Sequence, residues 1–284
     1  MFIGIKKICW LSWDYVATFA GRSYIAGQYL EDAVRLSGQL ASQRKPTTLC
    51  YWNTEEESTL QVTNAYLKAL EAIHFNNLDC HLSIKAPALR FDSLAINRIL
   101  ERSKTYGIPT IFDSLSSEAA DETFALLEKA LAEHPGLGCT LPGRWRRSLD
   151  DASWAVRRGV PVRVVKGQWP DAMETDVPLR EGFLAVIDRL AGGSCHVAVA
   201  THDAPLAQEA LERLTRTKTP CELELLYGLP LEPVQRVALA AKVPVRLYLP
   251  YGHGWLPYTL SQAKDNPRIF WWALRDLIGA RSHL

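Results

Sequence analysis

The chain has 284 residues, 48 % of them hydrophobic and 22 % charged, and its 32 basic and 31 acidic side chains give a formal net charge of +1. That length and apolar fraction suit one sizeable soluble core, and α/β barrels of this length are common as single domains. A charge so nearly balanced excludes a binder driven by phosphate neutralisation, so no nucleic-acid partner is expected. The six cysteines (Cys9, Cys50, Cys80, Cys139, Cys195 and Cys221) contain no CxxC pair. Their scatter excludes a clustered disulfide framework or zinc site, and predicts reduced thiols packed as small hydrophobes with no bound metal.

The N-terminal stretch MFIGIKKICWLSWDYVATF is apolar in flavour but broken by Lys6, Lys7 and Asp14. It has neither the length of a membrane span nor the cleavage site of a targeting segment. It reads as a capping segment beneath the fold of a cytoplasmic protein. Trp10 and Trp13 leave peripheral contact with a membrane surface open as the alternative.

From residue 47 onward one alternation repeats: a short β-branched apolar run, then an amphipathic segment of helical period. The runs are TTLCYWN (47–53), CHLSIKA (80–86), IPTIFDS (108–114), LGCTLPG (137–143), PVRVVKG (161–167), CHVAVATH (195–202), CELELLYG (221–228) and VPVRLYLPYG (243–252). Several boundaries carry their own punctuation, with Gly107 and Pro109 before the third run and Gly159 and Pro161 before the fifth. Eight strands alternating with helices predict parallel pairing through right-handed crossovers, closed as a (β/α)8 TIM-type barrel. A doubly wound sheet is the rival, but the first run ends in Tyr51-Trp52-Asn53 with no glycine-rich fingerprint. The expected organisation is an N-terminal helical arm over 1–46 and a single barrel domain over 47–284.

In such a barrel the strand ends build the site. They read Asn53, Lys85, Asp113, Arg144, Lys166, His202, Tyr227 and Tyr248. Lys85 follows Leu82 and Ile84 on a buried strand, where a lysine must be desolvated or paired, and Asp113 is its natural counter-charge. His202 reads either as a site residue or as a satisfied histidine beside the helix cap Asp203. Lys166 with Gly167 suits a phosphate or pyrophosphate, because glycine lets an anion approach the backbone.

The strand-end strings resemble the proline dehydrogenase family, a distorted (β/α)8 barrel that binds FAD without a Rossmann fold. SIKAPAL (83–89) resembles S-[IV]-K-x-S-A-L, and PTIFDS resembles the family's strand ending in aspartate. PVRVVKGQW (161–169) resembles V-R-L-V-K-G-A-Y, and VAVATHD (197–203) resembles the A-T-H-N strand. ELELLYGLP (222–230) resembles E-F-Q-x-L-[HY]-G-M, and VRLYLPYG (245–252) resembles V-R-x-Y-x-P-[VY]-G. Six motifs in order form a specific signal over about residues 24–266. The resemblance implies that Arg163, Val165, Lys166 and Gly167 line the flavin and its pyrophosphate, with Thr201 and His202 on the phosphate and adenosine side. It implies Lys85 at the substrate carboxylate, with Asp113, Trp169, Leu226 and Tyr248 walling the ring pocket. It further implies hydride transfer from the carbon beside a substrate nitrogen to the flavin.

Four departures from the family pattern stand out. Ser261 and Gln262, in YTLSQAKDN (258–266), occupy the places of two arginines that clamp the carboxylate in Y-L-x-R-R-L-x-E-N. A charge-assisted hydrogen bond contributes about 1.5–3 kcal/mol, so their loss removes roughly 3–6 kcal/mol of carboxylate binding. Free L-proline is therefore not the expected substrate; a proline-related amine or imino compound is. Pro142-Gly143-Arg144 replaces a Q-A-Y whose glutamine contacts the flavin, Glu224 replaces the glutamine of E-F-Q, and Trp169 stands where tyrosine is usual. Arg144 is the one loop arginine placed to replace part of the clamp. The electron acceptor stays open among a quinone, oxygen and a protein. Two other functions remain: a lyase or aldolase forming a Schiff base on Lys85 or Lys166, and a non-catalytic barrel that binds a metabolite or a protein.

Overall fold

The computed structural model describes residues 25–254, apart from 173 and 176. Its eight strands are β1 (Thr47–Tyr51), β2 (Cys80–Ile84), β3 (Thr110–Phe112), β4 (Leu137–Pro142), β5 (Val162–Val165), β6 (Val197–Ala200), β7 (Cys221–Leu226) and β8 (Val245–Tyr251). Each pairs in parallel with the next, and β8 pairs with β1, so the sheet closes as the sequence predicts. Every strand falls inside its expected run. The runs extend further than the ladder because their last residues already belong to the site loops.

Helix α1 (Leu30–Ser42) precedes the barrel and packs against β8 and β1. The crossover helices are α2 (Thr59–Phe75), α3 (Ser93–Tyr106), α4 (Ala120–Ala130), α5 (Ser148–Arg158), α6 (Leu179–Leu190), α7 (Ala204–Arg216) and α8 (Glu232–Ala241). Their starts are written locally. Ser58 and Gln61 form a reciprocal capping box on α2, Asp92 accepts from Leu94 N and Ala95 N on α3, and Asp203 accepts from Leu206 N on α7. Among the described residues no helix is long and apolar enough to cross a membrane.

Period-two alternation sorts each strand's side chains to two different environments. Leu49, Leu82, Val164, Val199, Leu223, Leu225 and Leu249 belong to the continuous apolar layer shared with the helices. Their neighbours Thr48, Ser83, Arg163 and Glu224 turn into the lumen, as bonds between non-adjacent strands require: Thr48 on β1 reaches Glu224 on β7, and Arg163 on β5 reaches Ser83 on β2. The lumen is therefore polar at mid-height, where barrels more often stack branched aliphatic side chains. Four described cysteines are buried and Cys221 is half-buried, all as free thiols.

Candidate functional site

At the C-terminal ends of the strands lies a cavity of about 580 Å³, within the usual range for small-molecule and cofactor sites. Residues from β2, β3, β5, β6, β7 and β8, or immediately after them, converge on it: Lys85, Asp113, Arg163, Val165, Thr201, His202, Glu224, Leu226 and Tyr248. The sequence singles out every one of these.

Arg163 organises the floor. Its Nε donates to Glu224 Oε2 at 2.7 Å and its Nη2 to Glu224 Oε1 at 3.0 Å, while Nη1 donates to Ser83 Oγ at 3.2 Å. Nη1 also lies 3.6 Å from Asp113 Oδ1, and the guanidinium sits over the Tyr248 ring, 4.8 Å from its centroid. Burial alone would discharge Arg163, but the carboxylates of Glu224 and Asp113 outweigh it and hold its pKa above the ordinary arginine value. Burial likewise pushes the Glu224 carboxyl up. Arg163 and the Thr48 hydroxyl, which donates to Oε1 at 2.7 Å, more than offset that, so Glu224 lies below the usual carboxylate range. The pair is ionised, bidentate and almost solvent-free, a geometry that recovers the cost of desolvating two charges.

The expected Lys85–Asp113 ion pair does not form. The Tyr248 hydroxyl donates to Asp113 Oδ2 at 2.8 Å, and the nearest cation is Arg163. Lys85 instead lies with its Nζ 5.3 Å from the centroid of the Trp52 ring, and its backbone N–H donates to the buried Tyr66 hydroxyl of α2 at 3.1 Å. It makes no ion pair among the described residues. The two side chains end neighbouring strands, but Asp113 leans across the lumen, where two donors are already fixed.

Lys166, outside the cavity lining, pairs with Asp203 (Nζ–Oδ2 2.9 Å), both partly exposed. His202 is fixed on both ring nitrogens: Nε2 accepts from Leu226 N at 3.0 Å and Nδ1 donates to the Pro230 carbonyl at 3.3 Å. Burial lowers its pKa, and it is a neutral strut between the ends of β6 and β7. Thr201 is buried, and its Oγ1 accepts from Asp203 N at 3.2 Å. Arg144 does not enter the cavity lining; its Nη1 donates to the carbonyls of Gln168 (2.9 Å) and Gly167 (3.4 Å). Trp145, buried and missed by sequence reasoning, donates from Nε1 to the Trp169 carbonyl at 3.0 Å and tightens the same loop. Gly167 has φ of +93°, and a Cβ there would sit 2.8 Å from Pro142 Cβ, so only glycine brings this loop so close to β4. The Trp169 side chain stands half-exposed at the mouth.

Trp52, Glu55 and Thr140 also line the cavity without having been singled out. Thr140 and the floor residues Thr48 and Ser83 carried one usable signal: small polar side chains alternating with aliphatics on buried strands. Ser261 and Gln262 lie outside the described residues, as do Trp10 and Trp13.

A flat aromatic cofactor fits this shape. Val165, Ala200 and Leu226 offer apolar surface above a charged floor in which Arg163 and Glu224 are paired, and Thr201 and His202 form a polar edge; Lys166 and Gly167, expected at the flavin, are not part of the lining.

No family model matches the chain. Curated relatives do. The chain is 24 % identical to proline dehydrogenase 1 of Bacillus subtilis subsp. natto over 281 residues, covering 93 % of this chain and 92 % of the relative. It is 25 % identical to proline dehydrogenase of Deinococcus radiodurans over 272 residues, covering 86 % of each. Among solved structures, it superposes on proline utilization A (PutA) from Bdellovibrio bacteriovorus, inactivated by N-propargylglycine, with a TM-score of 0.75 at 15 % identity. That match covers 86 % of this chain and 32 % of PutA, so the chain spans about a third of that protein.

Proposed function

From a chain that is a diverged member of the proline dehydrogenase family, we propose an FAD-dependent oxidoreductase acting on the CH–NH group of a proline-related amine or imino compound other than free L-proline. The observation that carries this reading is convergence: all six motif-bearing strand ends open on one cavity. Val165, Ala200 and Leu226 would flank the flavin ring, Arg163 would lie under it, and Thr201 and Lys166 would hold the phosphate end. A bound FAD would supply acceptance of a hydride from the carbon beside the nitrogen; a substrate that arrives as an ammonium first releases one N–H proton to solvent, and the lone pair so freed forms the C=N bond as the hydride leaves.

The residues of the chain supply position and charge. Asp113 is oriented by Tyr248 and Arg163, and its carboxylate attracts a substrate ammonium. Its Oδ1, which stands 3.6 Å from Arg163 rather than closing on it, is the oxygen open to a substrate N–H. The described lining carries two cations, Lys85 and Arg163, against three carboxylates, Glu55, Asp113 and Glu224. With Arg163 already engaged, that balance favours a cationic amine over a zwitterion whose carboxylate needs a clamp, in line with Ser261 and Gln262 in the places of two arginines. Lys85 is the cation left to meet a neutral acceptor group, such as an amide or ester carbonyl.

The test is optical. Protein purified with FAD should be yellow, and its flavin band should bleach anaerobically with cyclic secondary amines or proline amides at lower concentration than with L-proline. Protein that stays colourless in excess FAD overturns the reading.

A further inference from the structure

The Arg163–Glu224 pair has a consequence beyond holding the floor together. Both nitrogens that face Glu224 are spent on it in bidentate geometry, Nη1 is shared between Ser83 and Asp113, and Arg163 and Glu224 are 4 % and 3 % exposed. At this depth water screens little, so whether the residue at 224 is charged decides the net charge of the floor. A glutamine of the same size could still accept a hydrogen bond, but the longer contact to Asp113 would be the one charge-compensating contact left to Arg163 among the described residues. The sequence has glutamate where the resembled motif has glutamine.

We propose that Glu224 is a positioning residue that cancels the charge of Arg163 beneath the flavin and thereby sets the flavin reduction potential lower than a neutral side chain at 224 would. Two-electron reduction puts negative charge on the flavin ring, and a nearby unpaired cation stabilises that form while a neutral ion pair does not. The same cancellation weakens the site's hold on any anion seated against the ring. Thr48 supports the arrangement by donating to the Glu224 oxygen that also meets Nη2.

This inference rests on FAD binding as proposed above, and its test keeps the two apart. The holoprotein of Glu224→Gln is titrated against a redox dye, and separately with sulfite, an anion that adds to oxidised flavin. The variant should show at least a tenfold shift of the oxidised-to-reduced ratio toward reduced flavin, about 30 mV upward for a two-electron couple, and at least tenfold tighter sulfite binding. Thr48→Val, which removes a bond to Glu224 but no charge, should lower the melting temperature and leave the potential in place. If Glu224→Gln does not fold, Glu224→Asp, whose carboxylate draws back from Arg163, should move both readouts the same way by less. A folded, flavin-bearing Glu224 variant with unchanged or lowered potential overturns the inference and leaves the flavoenzyme reading standing. A wild-type protein that takes up no flavin overturns both.

Discussion

Tyr248 and Asp113 meet across the mouth of the barrel, the tyrosine hydroxyl on β8 donating to the carboxylate that follows β3. Neither is near the other in sequence or in strand order, so the bond fixes the carboxylate from the far wall. Tyr248→Phe removes the donor but keeps the ring under Arg163, so the fold should survive. A hydrogen bond to a charged acceptor contributes about 1.5–3 kcal/mol, so kcat/KM for the best amine should fall roughly ten- to hundredfold. Stopped-flow flavin reduction checks this; an unchanged rate would remove Tyr248 and Asp113 from substrate orientation.

Lys85→Met separates the substrate classes. Its side chain lies over Trp52 with no ion pair among the described residues, so the folding cost is small, about 0.5–1 kcal/mol for the lost cation–π contact. KM should rise for substrates with a carboxylate or carbonyl acceptor and stay level or fall for simple cyclic amines. A uniform loss across both classes would show that Lys85 does not read the acceptor group.

Gly167→Ala forces a side chain into backbone of φ +93° and within 2.8 Å of Pro142 Cβ. Strain of this kind costs about 1–3 kcal/mol. Relieving it moves the loop away from Arg144, whose donors hold the carbonyls of Gly167 and Gln168. Thermal melts should show the strain, and flavin content after gel filtration should fall.

Two half-buried histidines set the acid limit. Burial, with Arg246 nearby, lowers His81 from 6.5 to about 3, and burial also lowers His202. Each binds its proton more readily unfolded than folded, so their contribution to stability is complete above pH 6.5 and is lost as pH falls, for His81 toward 3. Each unit of that gap amounts to about 1.4 kcal/mol. Denaturant midpoints measured from pH 7 to 4 should fall steadily, and His81→Asn should flatten the slope.

The barrel was legible because each strand carries its own local evidence: an aliphatic alternation, punctuation before it and a polar residue after it. The site residues were legible because the strand ends are where that alternation stops. Their partners were not. Asp113 looked destined for Lys85, since the two end adjacent strands; in space Asp113 is met by residues of β5 and β8, and no local pattern reveals which lumen side chains meet after closure. Arg144 read as a loop arginine placed to replace part of the carboxylate clamp, but the turn that returns the chain from β5 offers it two carbonyls. The His202 alternatives had the same origin: its sequence neighbour Asp203 does cap α7, while the imidazole answers to a backbone amide and carbonyl beyond the next crossover.

The polar lumen has one more consequence. Because Arg163 is answered by Glu224 from within the chain, the buried cation beneath the cavity is paired before any guest arrives. Such a protein has no need of its ligand to fold. Mutations at the outer rim can then exchange one guest for another without putting the scaffold at risk, a freedom denied to sites whose buried cation waits for the substrate to neutralise it.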